Sequence, residues 1–292
     1  MIRAARSLAL GLLLFLSASS FAQQPVKPES FHTLTWVGDP QWSPVDDRIV
    51  FTTRISNEKR EGYDANLWII GADGKGMRQL TYATASDQSA RWSEDGREIL
   101  FVSSRGGSAQ AWVLPAEGGE ARCVTPFSLD VSDVRWIPGA RAISFLAGVP
   151  PTASTGRKTE KDMVKVKDPD LEKGVRVIRQ AIYRAGKSYF EGKRPHLFTL
   201  DLAGGEIRQL TAGEMSVGDY EWSPDGKRVV VGFDHLEDAT DIGRAKLRLL
   251  DRSGAWIRDL NDKPGYYGLA AWRPGSTQVV VTQDFPEGLN QK

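Results

Sequence analysis

The sequence predicts an all-β protein, a β-propeller of four-stranded antiparallel blades with four complete blades and about half of a fifth. A tryptophan followed by a turn and a β-rich run occurs five times, and a second hairpin pattern follows the first four. The period of about 44–50 residues, with one interval of about 86, is typical of propeller blades. The repeated tryptophans are Trp42, Trp92, Trp136, Trp222 and Trp272.

The composition is that of a globular chain able to bury a core. Of the 292 residues, 40% are hydrophobic and 26% are charged. The net charge is only +1, so no overall field favours a nucleic acid or an anionic membrane.

Residues 1–22 have the pattern of a signal peptide. Two arginines precede the apolar run 8–16, and a small-x-small pattern at 20–22 predicts a mature chain that begins at Gln23. The apolar run is shorter than the roughly 20 residues that span a membrane. An uncleaved anchor is the alternative, and a periplasmic or secreted location is expected. Residues 23–38 form a short lead-in.

The first hairpin of each unit is predicted from its turn chemistry. In the turn 223–226, Pro224 presets φ at the second position and Gly226 suits the fourth. The following run, 227–233, is β-branched and apolar, which favours a strand.

A second hairpin in each unit contains a glycine turn between two strand-forming runs. Two hairpins per period make the four strands of one blade. These second hairpins begin at Asn66, Ala111, His196 and Lys246. Within a propeller at 39–292, the predicted blades cover about 39–81, 87–125, 131–211 with an insertion at 148–195, 217–260 and, as the half blade, 267–292.

The repeated tryptophans are expected to form a layer between blades, since one blade cannot cover its own faces. A sugar-stacking or ligand-cage role is the alternative. Asp39, Asp133 and Asp219 each lie three residues before a tryptophan, which suggests a ring of metal ligands. Ser89 and Leu269 interrupt that ring, so turn-capping aspartates are the preferred interpretation.

The runs 222–231 and 197–211 resemble the repeats of TolB-like propellers. They equally resemble the N-terminal propeller of prolyl oligopeptidase family serine peptidases, of the acylaminoacyl-peptidase and dipeptidyl-peptidase type. The likeness covers about residues 34–292. The lead-in 23–38 is too short for the α/β domain that precedes TolB propellers, and the passage 175–198 is similar to the peptidases, so the peptidases are favoured.

The peptidase resemblance implies a non-catalytic propeller that restricts an exported serine peptidase to short peptides. It also implies a C-terminal α/β-hydrolase domain outside this chain as the partner of the propeller. The alternative is a stand-alone TolB-like propeller that binds a periplasmic protein. Because only an inner hairpin follows Trp272, the chain is expected to be part of a longer protein or a truncated gene product.

No residue of this chain is predicted to be catalytic, to bind a cofactor or to bind a metal. The sequence around Ser108 lacks the final glycine of a nucleophile elbow and falls in a predicted turn. His32, His196 and His235 lack the spacing of metal ligands. Cys123 is the single cysteine, and a small packed strand residue is expected there.

The insertion at 157–194 carries twice as many Lys and Arg residues as Asp and Glu residues. Such a basic segment suits an anionic ligand or a partner domain. The simpler interpretation is a solvated loop followed by a hairpin with its turn at 185–187. A helix is the remaining alternative, because apolar residues recur at helical spacing. Those residues are Leu171, Val175, Ile178 and Ile182.

Overall fold

The computed structural model describes residues 33–56, 62–82, 84–150, 193–213, 215–234, 246–261, 266–275 and 277–284, together with two short strands at 184–185 and 188–189. The predicted signal peptide, His32, His235 and the proposed helical face at Leu171, Val175, Ile178 and Ile182 lie outside the described residues.

Four sheets are four-stranded and antiparallel and two are two-stranded, one of which is the half blade, which confirms the predicted fold class. Blade 1 comprises β1 (Trp36–Trp42), β2 (Arg48–Ser56), β3 (Tyr63–Gly71) and β4 (Arg78–Gln79). Blade 2 comprises β5 (Asp87–Trp92), β6 (Glu98–Ser103), β7 (Gln110–Pro115) and β8 (Arg122–Cys123).

Blade 3 contains the insertion between its second and third strands. It comprises β9 (Val131–Trp136), β10 (Ala142–Val149), β13 (Arg194–Asp201) and β14 (Ile207–Gln209). Blade 4 comprises β15 (Ser216–Trp222), β16 (Arg228–Asp234), β17 (Lys246–Asp251) and β18 (Trp256–Asp259). The half blade comprises β19 (Tyr266–Trp272) and β20 (Val279–Asp284). Successive sheets contact one another in chain order, and the described residues do not close a ring.

The turns between the first two strands form as their residues predict. In blade 4, the Ser223 hydroxyl accepts the Arg228 N–H at 2.9 Å and the Asp225 carboxylate accepts the Lys227 N–H at 3.1 Å. Gly226 has φ = +62°, a conformation that favours glycine. The chain therefore reverses within four residues and enters β16.

The hydrophobic core lies between blades rather than within one. Each seam combines one side of a blade with the opposite side of the next. Between blades 2 and 3, the Phe127 ring packs edge-on against Phe145 and Phe198, which stack with centroids 5.5 Å apart. Each blade thus depends on its neighbours to bury its faces.

The predicted tryptophan layer is confirmed. The Trp92 Nε1–H donates to the Gln41 carbonyl at 3.0 Å, so the second blade is fixed to the first. Trp136 donates to the Arg91 carbonyl at 3.1 Å, and Trp272 to the Glu221 carbonyl at 3.0 Å. Each acceptor is the residue directly before the tryptophan of the preceding blade.

A polar clasp holds the two outer strands of each blade. The Leu67 N–H donates to the Thr81 hydroxyl at 3.0 Å, because the threonine that ends the fourth strand reaches back to the third. The same bond recurs in the next three blades, from Ala111 N–H to Thr125 Oγ1, from Leu197 N–H to Thr211 Oγ1 and from Leu247 N–H to Asn261 Oδ1.

Two further expectations meet different outcomes. The described part of the insertion is a hairpin, β11 (Arg184–Ala185) paired with β12 (Ser188–Tyr189), as its predicted turn indicated. Cys123 lies on a strand but is exposed, so the expectation of a packed cysteine is wrong. Its strand is the short outer edge of blade 2, where β7 is its one partner among the described strands. The described residues form no helix with the length and apolar character of a membrane span.

Candidate functional site

The first strands of the blades follow one another along one side of the stack and carry β-bulges at matching places. The register of β1 and β2 shifts between Gly38 and Gln41, and that of β5 and β6 between Gln88 and Arg91. Comparable shifts occur in blades 3 and 4 and in the half blade. A bulge redirects the nearby side chains. The inner strands therefore present charged groups along a shared inner space, which we call the channel and which the described residues border without closing a ring.

The expectation that Asp39, Asp133 and Asp219 cap turns is wrong, since all three lie within inner strands. Asp39 and Asp133 occupy the bulges with φ of 50° and 43°, and Ser89 does so with 59°. Aspartate tolerates this left-handed conformation better than most residues. All three carboxylates pair with arginines of the inner strands instead.

Arg135 joins blade 3 to blade 4 through two carboxylates and pairs with a third on its own strand. Its Nε lies 3.2 Å from Asp133 Oδ1, its Nη2 lies 3.0 Å from Asp219 Oδ1, and its Nη1 forms a close ion pair with Glu221. The guanidinium also lies over the Tyr220 ring, 4.6 Å from the centroid. Because Arg135 and Glu221 retain 24% and 33% of their side-chain exposure, this network faces solvent in the channel.

A second ion pair joins blades 1 and 2. Arg91 Nη1 lies 2.9 and 3.1 Å from the two carboxylate oxygens of Asp39 and also donates to the Ala90 carbonyl. In these two networks, two guanidinium groups thus face four carboxylates. The net charge of these side chains is therefore negative when all of the carboxylates are ionised.

The environment of Arg135 also changes the protonation of its partners. Burial raises the pKa of Asp219 and of Glu221 above their ordinary values, while the guanidinium opposes the rise. Burial likewise raises the pKa of Tyr220, so its hydroxyl stays protonated and donates to the Asp133 carbonyl at 2.5 Å. As the pH falls, the carboxylates of Asp219 and Glu221 therefore lose their negative charge earlier than ordinary carboxylates do.

A cavity of about 970 Å³ opens at the end of the channel where the first-to-second-strand turns lie. This volume is within the usual range for ligand sites. Its lining combines charged and aromatic groups, which suits hydrogen bonding to a peptide backbone and contact with side chains. The groups from the inner strands are Gln41, Trp42, Arg91, Trp92, Arg135, Trp136, Glu221 and Trp222.

The structure separates the other candidate residues from this channel. Ser108 lies in the turn between β6 and β7, as predicted, where its hydroxyl accepts from the Gln110 amide at 3.2 Å. His196 is buried in β13, 3.2 Å from the Thr211 hydroxyl. Burial, aided by Arg194, lowers the pKa of His196 to about 4. Across the described ranges, no three His, Cys, Asp or Glu residues are grouped to hold a metal ion.

Sequence reasoning missed the position directly before each repeated tryptophan. It is occupied by Gln41, Arg91, Arg135 and Glu221, and only the half blade has an apolar residue there, Ala271. A polar side chain at the same place in four of five repeats was the available signal. It indicates that these side chains point into a shared polar space.

Repeated four-stranded blades around a charged channel define the chain as a propeller protein. Residues 27–154 match the family model of the TolB β-propeller domain. The chain thus contains a TolB-like β-propeller domain.

Relatives of the chain include named peptidases. It is 31% identical over 226 residues to dipeptidyl-peptidase 5 of Porphyromonas gingivalis, a match that covers 73% of this chain and 32% of that protein. It is 27% identical over 194 residues to an uncharacterized peptidase of Bacillus subtilis, covering 66% of this chain and 29% of the relative. The chain thus spans about a third of the length of these relatives.

The fold likeness extends to solved structures. The acylaminoacyl peptidase of Pyrococcus horikoshii matches with a TM-score of 0.58 at 16% identity, over 83% of this chain and 35% of that one. At this identity, the likeness establishes the propeller fold alone.

Proposed function

We propose that this chain is the non-catalytic propeller portion of an exported serine peptidase, where it admits short peptides to a catalytic α/β-hydrolase domain. The observation that carries the proposal is the 31% identity to dipeptidyl-peptidase 5 across most of the propeller. The charged channel supplies the physical means, because its lining can bind an extended peptide while the stacked blades limit its width.

The gating role depends on the groups at the channel mouth. Arg135 and Glu221 bridge blades 3 and 4 and border the cavity. A peptide that enters would exchange water for these hydrogen-bonding groups at little cost. A folded protein is too large for a cavity of about 970 Å³ and would be excluded.

The test is to read the coding sequence beyond Lys292. A Gly-x-Ser-x-Gly elbow followed by Asp and His is expected there, and the encoded protein should hydrolyse short peptide substrates. The 292-residue chain alone should show no hydrolysis. In the longer protein, Glu221→Gln should change the rate ratio of longer to shorter peptides and leave the shortest substrate unaffected. Thr282→Ser, away from the cavity lining, is the matched control.

Two results would contradict the proposal. One is peptide hydrolysis by the isolated chain. The other is a longer protein that cleaves folded proteins as readily as short peptides.

A second function is favoured by the TolB family match at residues 27–154. In that case the propeller acts alone and binds a periplasmic protein. Capture of one defined envelope protein by the purified chain, without any peptidase activity in the longer gene product, would support this function instead.

Export is part of the proposal in both cases. Residues 1–22 should be removed on secretion, so that the N-terminal sequence of the mature protein begins at Gln23. Retention of Met1 in the exported protein would indicate an uncleaved anchor.

A further inference from the structure

The two arginines of the inner strands differ in how fully their guanidinium groups are paired. All three nitrogens of Arg135 bind carboxylates. Arg91 uses only Nη1, which donates to both oxygens of Asp39 and to the Ala90 carbonyl. Among the described residues, Nε and Nη2 of Arg91 have no hydrogen-bond partner. These two nitrogens form one edge of the planar guanidinium, which we call the open edge, and such an edge matches the two oxygens of a carboxylate.

Blade 3 shows which group fills the equivalent edge. There, Nε of Arg135 donates to Oδ1 of Asp133 and Nη2 donates to Oδ2, both at 3.2 Å. Asp133 lies two residues before Arg135, in the bulge of the same strand. In blade 1, Gln41 makes a similar local contact, from its Nε2 to Oδ1 of Asp39 at 3.0 Å. The repeat thus places an aspartate beside the residue that precedes the tryptophan.

Blade 2 lacks that carboxylate. Ser89 occupies the bulge two residues before Arg91, with φ of 59° where Asp39 and Asp133 have 50° and 43°. A serine hydroxyl offers one oxygen, so it cannot replace a carboxylate that accepts two hydrogen bonds. Arg91 therefore has the backbone setting of Arg135 without its internal partner. Its side chain is 27% exposed and borders the cavity of about 970 Å³, so a molecule in the cavity can approach the guanidinium.

We propose that Arg91 binds a carboxylate of a peptide in this cavity, in the place that Asp133 takes beside Arg135. The inference deepens the proposed function and rests on it, because it requires that peptides enter the cavity. Nε and Nη2 of Arg91 would each donate to one oxygen of the ligand, while Nη1 keeps its bond to Asp39. A free C-terminus and an acidic side chain share this chemistry, and the experiment distinguishes them.

Glu221 is the carboxylate that competes for Arg91. Burial raises the pKa of Glu221, and Arg91 is one of the two guanidinium groups that oppose the rise. Glu221 nevertheless forms its close ion pair with Arg135 rather than with Arg91. Because the two networks together are negative, an anion held only by charge would be repelled. The ligand is therefore retained by its paired hydrogen bonds to the open edge, which require a planar group with two acceptors.

A ligand-observed NMR titration of the purified 292-residue chain tests the inference with two matched pairs of peptides. Trialanine and its C-terminal amide compare a charged C-terminus with a neutral one. A tripeptide with both ends blocked and a central glutamate is compared with its glutamine counterpart. In at least one pair, the acid should bind roughly tenfold more tightly than the neutral peptide. The pair that shows this preference identifies the source of the carboxylate.

Three variants separate binding by Arg91 from its contact with blade 1. Ser89→Asp gives Arg91 the internal carboxylate that Arg135 has, so the preference for the acid should fall below about twofold although Arg91 is unchanged. Arg91→Lys keeps the charge but loses the two parallel N–H groups, so the preference should fall severalfold. Asp39→Asn is the matched control, because it breaks the ion pair with blade 1 and leaves the open edge intact. It should keep the preference of the unmodified chain.

Three results would overturn the inference. The first is that the acids bind no more tightly than their neutral counterparts in either pair, or that no acid binds. The second is a Ser89→Asp chain that folds, as judged by circular dichroism, and keeps the full preference; if this variant does not fold, an undiminished preference in Arg91→Lys has the same meaning. The third is an equal loss in Asp39→Asn and Arg91→Lys, which would mean that Arg91 acts only by joining blades. The peptidase assignment is judged separately, by hydrolysis in the longer protein.

Discussion

Replacing Gly226 with alanine should reveal how closely the blades stack at their turns. Gly226 has φ = +62° in the turn before β16. A Cβ at this position would lie 2.1 Å from the Pro138 carbonyl oxygen of blade 3 and 3.1 Å from its carbon. This neighbour is backbone, so it yields only if one blade turn moves away from the other.

The matched variant is Gly139→Ala, in the corresponding turn of blade 3 but one position earlier. Gly139 has φ = +64°, but a Cβ there would meet no atom within 4 Å. Both substitutions carry the cost of a left-handed alanine, about 1 kcal/mol, partly offset by a less flexible unfolded chain. The Gly226 variant adds overpacking at the seam, typically about 1–3 kcal/mol. We expect losses of about 1 kcal/mol for Gly139→Ala and about 3 kcal/mol for Gly226→Ala.

Gly96→Ala should fall between these values. Its Cβ would lie 2.3 Å from Val45 Cγ2, which is a side-chain atom of an exposed residue and can rotate away. Urea unfolding followed by tryptophan fluorescence measures the three free energies of unfolding in dilute protein. Equal losses for Gly226→Ala and Gly139→Ala would refute the reasoning, because the cost would then come from φ alone.

Three further predictions concern the seams and the channel. Because burial lowers the pKa of His196 from 6.5 to about 4, the unfolded chain takes up a proton there before the folded chain does. Stability should therefore fall by up to about 3 kcal/mol as the pH drops through this window, and His196→Gln, which copies Gln110 of blade 2, should remove that part of the pH dependence of urea unfolding. Trp92→Phe loses the hydrogen bond to the Gln41 carbonyl, so the free energy of unfolding should fall by roughly 1–3 kcal/mol. Trp42→Phe in dilute protein should lower it by less than about 0.5 kcal/mol. Equal losses for the two variants in the same assay would contradict the role of Trp92 in the seam. Arg135→Met leaves three carboxylates without their cation, so the free energy of unfolding should fall by roughly 2–4 kcal/mol at neutral pH. Part of this stability should return as the pH falls, because the raised pKa values of Asp219 and Glu221 allow them to take up protons. A loss that does not vary with pH would argue against the network.

The fold was predictable because each blade repeats the same turn residues and strand-forming runs. The turn at 223–226 and the β-branched run after it specify one hairpin without reference to the rest of the chain. The recurrence of the tryptophan then reveals the stacking, since the same residue must serve the same seam each time. Local chemistry and repetition were enough here.

The channel was not predictable because it depends on the bulges. The one-residue shift in β1 determines whether Asp39 points to a turn, a seam or the channel, and pattern reading cannot detect that shift. The ion pairs also join residues far apart, as Arg135 and Glu221 do from neighbouring blades. The residues directly before the repeated tryptophans are mostly polar in the sequence, but the sequence does not show which charged side chains form ion pairs.

The seam between blades 3 and 4 shows why the repeats cannot be treated as interchangeable. Here the Trp222 Nε1–H donates to the Ser144 hydroxyl at 2.9 Å, and that hydroxyl lies 3.4 Å from the Arg135 carbonyl that a direct contact would use. Tyr220 fills the added space beneath Arg135 and bonds to the Asp133 carbonyl, where blade 2 has only Ala90. The Trp222 bond, Ser144 and Tyr220 thus all differ from their counterparts in the other blades, and together they form one hydrogen-bonded unit. This seam also carries most of the channel's carboxylates, so any ligand that engages Arg135 acts on the same groups that hold the two blades together.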